Sequence, residues 1–244
     1  MTTRRRTIAA SLLLVCGVFL LGVGRSFALY HESMLSRTTA VVVTNLDSTE
    51  TFVVFACYDA SGTLLAETEA VLAGQASNVL FLDELIPKRD GTTWGLALAE
   101  TEGHVAFGVW IASDDTWQCV ENVATALFDP TDAPYTAYWY TANYASTGNR
   151  NGGLAVANPW SDPVEAEIEA YDAAGTVVTH TVVDLGGHAS GFYNLSGALS
   201  AGASLWGAVL VRATAPILLV AEYRDEKSDL IDLDMITQFF YIEE

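Results

Sequence analysis

Basic residues are scarce in this 244-residue chain: 11 Lys and Arg stand against 30 Asp and Glu, a formal net charge of −19. Only Lys88 and Lys227 are lysines. So few cations cannot neutralise a phosphate backbone, which excludes electrostatically driven nucleic-acid binding. A strongly acidic surface also repels anionic membranes. Cysteine is sparse, three residues in all, too few for a scaffold built on disulfides. Long runs with helical amphipathic spacing are missing, so a helical body is not expected. There is no His or Cys pair at zinc spacing, no phosphate-binding glycine loop and no Gly-x-Ser-x-Gly turn. Gly187-His188-Ala189-Ser190-Gly191 has the wrong order for that turn. No residues take complementary nucleophile, base and oxyanion roles, so an enzyme is not expected. What is plentiful is apolar: 51% hydrophobic and 11% aromatic residues, enough to build a core.

Residues 1–28 read as a targeting segment. Arg4, Arg5 and Arg6 precede an uncharged run from Thr7 to Gly24, and Ser26-Phe27-Ala28 places small residues at −3 and −1 of a cleavage site. That is the layout of a secretory signal peptide, with an uncleaved anchor as the alternative. Arg5-Arg6 also admits a twin-arginine route. Either way residues 29–244 are exported, to a periplasmic, cell-surface or extracellular location. Four of the 11 basic residues and none of the 30 acids fall in the segment, so the remainder holds seven basic residues and a net charge of −23. A membrane is then met only through the N-terminal segment, if it is kept.

The rest of the chain is one pattern written twice. Asn45 is followed by Tyr58-Asp59-Ala60-Ser61-Gly62-Thr63, and Asn158 by Tyr171-Asp172-Ala173-Ala174-Gly175-Thr176, at an offset of 113. Gly74, Ala76, Ser77 and Leu82 continue the match to Gly187, Ala189, Ser190 and Leu195. At an offset of 112, Trp94-Gly95 matches Trp206-Gly207. Two repeats are expected, 29–130 and 131–244. Val164–Tyr171 alternates apolar residues with Glu165, Glu167 and Glu169, the period of a half-buried strand. Asp172-Ala173-Ala174-Gly175 suits a tight turn, and Val- and Thr-rich Thr176–Leu185 suits a strand. Trp206–Val211 and Ile217–Tyr223 are expected to form a hairpin, and Leu82–Leu85 a helical turn. Seven or eight short strands per repeat predict an all-β chain of two tandem sandwiches of immunoglobulin-like size.

With Asn45 or Asn158, the Tyr-Asp-x-x-Gly-Thr corner and the Trp-Gly strand, the chain resembles tandem immunoglobulin- or fibronectin-like sandwich modules of exported bacterial proteins. The likeness spans most of residues 35–240. It implies spacers, adhesive surfaces or scaffolds, and no catalytic residues. The expected function is a non-enzymatic exported structural or protein-interaction module, adhesive or on the cell surface, with a protein partner or self-association; a carbohydrate-binding module is the alternative.

Cys57 and Cys119 are the two cysteines beyond the leader, an even count in an oxidising compartment. By offset they match Ala170 and Ile231, both expected to face inward, so a Cys57–Cys119 disulfide is expected; two buried free thiols are the alternative. Where the second repeat has Glu165, Glu167 and Glu169, the first has Phe52, Val54 and Ala56, a strand apolar on both faces and hence a candidate interface. Tyr135, Tyr138, Trp139, Tyr140 and Tyr144 form a candidate sugar-stacking platform, or else a first strand with Tyr138 and Tyr140 on one face and Trp139 on the other. Asp225, Glu226 and Asp229 are the candidate calcium ligands; no other cofactor is expected.

Overall fold

The computed structural model describes residues 26–33, 37–86, 93–113, 116–120, 124–126, 137–146, 150–195, 205–225, 230–235 and 239–241. The strands of the N-terminal half are β1 (Ser26–Ser33), β2 (Arg37–Asn45), β3 (Thr51–Asp59), β4 (Leu64–Leu72), β5 (Ser77–Phe81), β6 (Thr93–Thr101), β7 (Val105–Ser113), β8 (Thr116–Val120) and β9 (Ala124–Ala126). One helical turn, α1 (Leu82–Leu85), follows β5 as expected. The C-terminal half holds β10 (Tyr138–Ser146), β11 (Arg150–Ala157), β12 (Val164–Asp172), β13 (Val177–Leu185), β14 (Ser190–Asn194), β15 (Leu205–Ala213), β16 (Leu218–Asp225), β17 (Leu230–Met235) and β18 (Phe239–Tyr241). The chain is all-β, as its Val, Thr and aromatic content favours.

Four sheets result. Sheet A has the order β4-β3-β6-β1-β9 and sheet B the order β5-β2-β7-β8. Sheet C, β13-β12-β15-β10-β18, and sheet D, β14-β11-β16-β17, repeat those orders strand for strand. All pairings among the described residues are antiparallel. The connectivity is not the immunoglobulin one, in which the first two strands are neighbours in one sheet; here β1 and β2 lie in different sheets. The expected hairpin of β15 and β16 is likewise absent, since β15 belongs to sheet C and β16 to sheet D. The link between them is tied to β12 instead: Thr214 N–H donates to the Glu165 carbonyl at 3.0 Å, and Glu165 N–H donates to Thr214 Oγ1 at 3.1 Å.

Period-two alternation sets the cores. On β3, Val53, Phe55 and Cys57 are buried while Phe52 and Val54 are exposed; on β12, Val164, Ala166, Ile168 and Ala170 are buried beneath the three glutamates. Val53, Phe55, Phe27 and Leu29 of sheet A pack with Val41, Val43, Val105 and Val109 of sheet B. Ile168, Val209 and Val211 of sheet C pack with Leu154, Val156 and Leu219 of sheet D. Strands β11 and β16 are apolar on both faces, and their other residues, Ala155, Ala157, Leu218 and Val220, join the N-terminal core cluster. Sheet D is therefore covered on both sides, which explains the unbroken apolar run Ile217–Ala221.

The repeated residues lock repeated geometry. Asn45 Nδ2 donates to the carbonyls of Thr49, Leu72 and Ala73, and its Oδ1 accepts from Asp47 N–H. Asn158 does the same with Asp162, Leu185, Gly186 and Trp160 N–H. Asp59 Oδ1 accepts from the N–H groups of Ser61 and Thr63, and Asp172 Oδ1 from those of Ala174 and Thr176. Each turn then closes through a glycine at positive φ, Gly62 at 84° and Gly175 at 80°, a region costly for residues with a Cβ. A bulge follows Cys57 in one half and Ala170 in the other.

Candidate functional site

Two outward sheet faces differ most from plain solvated surface. The first is the outer face of sheet C. Register sets Arg212 of β15 between Trp139 of β10 and Glu167 of β12. The guanidinium lies 5.7 Å from the Trp139 ring centroid and 3.9 Å from Glu167. One position along, His180 of β13 stands opposite Glu169 and reaches Glu167 Oε1 at 2.9 Å. Tyr171 hydroxyl donates to the Glu169 carboxylate. That bond, followed by burial and the charges of Glu169 and Glu167, holds the phenol above its ordinary range, so it stays a donor.

Glu167, Glu169 and His180 bring one ligand atom each within 4.8 Å of one another, the one such set among the described residues. Two carboxylate oxygens and an imidazole nitrogen are donors that suit a zinc-like ion. Each is already engaged by a neighbour, Glu167 by His180 and Arg212 and Glu169 by Tyr171.

The second is the outer face of sheet A. Phe52 and Val71 are direct cross-strand partners, 50% and 51% exposed, and Val54, two residues on, is 36% exposed. Glu69 and Glu100 flank Val54, and Glu67 stands opposite Ala56, which is half-buried. Further along β3 the same face passes beneath the C-terminal half. The Tyr58 ring stacks on His188, centroids 4.4 Å apart at 23°, and Ser190 N–H donates to the Ala60 carbonyl at 3.0 Å. His31 Nε2 donates to the Tyr58 carbonyl at 2.9 Å. Burial, then the charges of Glu100 and Glu67, raises the Tyr58 phenol.

The other candidate residues separate. Tyr138 and Tyr140 are each 5% exposed and belong to the core between sheets C and D, where Tyr140 hydroxyl accepts the Ile217 N–H at 2.8 Å. They are one strand with Trp139 on its other face, so they make no common platform: period two divides them. Tyr135 lies outside the described residues, as does the side chain of Tyr144. Glu226 and Asp229 of the calcium set also lie outside them, and Asp225 is described only as the end of β16.

No Cys57–Cys119 bridge is formed: Cys57 is a buried free thiol. Burial pushes that thiol up to about 12. Cys119 sits on β8, and its side chain lies outside the described residues. In register it stands opposite Trp110, while Val120 stands opposite the core residue Val109. The register that pairs Cys119 with Trp110 pairs Leu233, not Ile231, with the matching Glu222 of β16. His104 is exposed, and its N–H and ring hold Asp47. The backbone bond, then the ring bond, keeps the Asp47 carboxyl below its ordinary range.

Reading residues one strand at a time missed the Trp139–Arg212–Glu167 row and the Tyr58–His188 stack. Each joins residues far apart in sequence, and only strand pairing or packing makes them neighbours.

No family profile and no curated protein matches the chain. Among solved structures it is similar to a Pleurotus ostreatus lectin in its apo form, at 11% identity and TM-score 0.27, over 90% of this chain and 77% of the lectin. An anti-sigma factor domain-containing protein shows 7% identity and TM-score 0.24, over 84% and 80% of the two chains. A glycosyl hydrolase family 2 member from Bacteroides cellulosilyticus shows 11% identity and TM-score 0.17, with this chain spanning 29% of its length. Scores this low carry no argument about family or activity.

Proposed function

We propose that this chain is an exported, non-enzymatic module of two tandem β-sandwiches that binds a protein partner through the outer face of sheet A. One observation carries the reading: Phe52, Val54 and Val71 form a continuous exposed apolar strip on a chain whose other repeat puts glutamates on the matching strand. Contiguous exposed apolar side chains mark interaction sites more often than scattered ones do. Glu67, Glu69 and Glu100 beside the strip favour a partner with an apolar centre and a basic rim. A glycan platform is not part of the proposal, because Tyr138 and Tyr140 are inside the core.

The double substitution Phe52→Glu with Val54→Glu tests it. Both side chains are exposed, so the melting temperature should move little, while covering them in a complex should contribute roughly 2–3 kcal/mol, about two orders of magnitude in Kd. Light scattering over a concentration series, and crosslinking in the native envelope, give the readout. A variant that keeps the association state and the crosslinked partners of the wild type removes the proposal.

A further inference from the structure

We propose that Ser26-Phe27-Ala28 is not cut away on export but forms the start of β1 and remains in the working protein. The inference rests on the export reading above and changes where processing takes place. Cleavage after Ala28 would remove Phe27, which is 2% exposed with its ring centroid 4.8 Å from that of Phe107, and Ala28, which is fully buried. It would take away the pairs Ser26↔Glu100, Phe27↔Ala99 and Ala28↔Leu98 with β6. Strand β9 is held in sheet A by three pairs, Phe27↔Ala126, Ala28↔Thr125 and Leu29↔Ala124, so one of the three would be left.

The other half shows the same construction in mid-chain, where no leader is cut. Tyr140 of β10 pairs with Val211 and Phe239, as Phe27 pairs with Ala99 and Ala126. Strand β10 likewise holds β18 through its first three residues, Tyr138–Tyr140. The small residue at 28 has a packing cause of its own. Ala28 alternates with Phe27 and Leu29 along β1, and it is fully buried in an apolar cluster that takes in Ala155, Ala157, Leu218 and Val220 of the C-terminal half. A motif that satisfies signal-peptide spacing is thus also what a strand at this place requires.

The test expresses the full chain in a bacterial host, as wild type, Phe27→Ala and Phe27→Leu. None of these alters the small residues at 26 and 28. Intact mass of the protein recovered from the envelope or medium gives its first residue, and thermal melting of each purified protein gives the cost of the substitution. The expected result is a first residue at or before Ser26, with Phe27→Ala melting about 10 °C lower and Phe27→Leu by a smaller amount. A first residue of Leu29, or equal melting of wild type and both variants, overturns the proposal. If the chain stays in the cytoplasm the export reading fails by itself, and the melting shift still decides whether Phe27 belongs to β1. If Phe27→Ala does not accumulate, the Phe27→Leu shift decides.

Discussion

Replacing Asn158 by alanine removes one side chain that closes four hydrogen bonds in a site with no solvent. Its amide donates to Asp162 at 2.8 Å, Gly186 at 2.9 Å and Leu185 at 3.2 Å, and its oxygen accepts from Trp160 N–H at 2.9 Å. Asn158 is fully buried, so three carbonyls and an N–H would lose their partner with little water to replace it. At about 1 kcal/mol per bond, rising to about 3 for a group left fully buried, the loss is about 4–6 kcal/mol. For a chain of this size that corresponds to a fall in melting temperature of roughly 10–20 °C. Asn45→Ala should cost a similar amount, because its bonds are the same in kind and spacing. Asn158→Asp keeps the shape but loses the donors and turns a carboxylate toward three carbonyl oxygens, so it should be worse than alanine. Differential scanning calorimetry on the three variants checks the order. A loss below about 1 kcal/mol for either alanine, or an aspartate variant as stable as the wild type, would show that the two corners are not held by these side chains.

Gly175→Ala places a Cβ at positive φ in open space and should cost about 1 kcal/mol. Gly62→Ala meets the same φ penalty, and its Cβ also collides with the backbone carbonyl of Gly187; chemical denaturation should show several times the loss, and equal losses would refute the junction between the halves. Cys57 should resist alkylation in the folded state and react on unfolding. Its thiol is raised from 9.0 to about 12 in the folded state, so the unfolded chain loses its proton first as pH rises. Stability linked to the thiol is therefore whole below pH 9 and is lost between about 9 and 12. Melting curves across that window should fall more steeply in the wild type than in Cys57→Ala; identical slopes would place the cause elsewhere.

Some of this was legible in the residues taken singly. The Glu165, Glu167 and Glu169 alternation fixed the two faces of β12, because period two is a property of the strand itself. The Tyr-Asp-x-x-Gly turns were legible because an Asp oxygen and a glycine at positive φ act within a few residues. The repeat was legible through Asn45 and Asn158, although the reason they recur, a buried amide bonded 27 and 28 residues away, was not. The strand apolar on both sides was seen at Phe52 and Val54, but its covering was not: the structure covers that face around Tyr58 and leaves Phe52 and Val54 open.

By itself, then, the sequence determined the strand content, the duplication, the inward and outward residues of the regular strands and the acidic surface, all consequences of spacing within a few residues or of composition. The tertiary structure alone decided that β15 and β16 part into different sheets, that Cys119 stands opposite Trp110, that Tyr138 and Tyr140 go inside, and that Arg212 joins Trp139 to Glu167. These depend on which strand pairs with which and at what register.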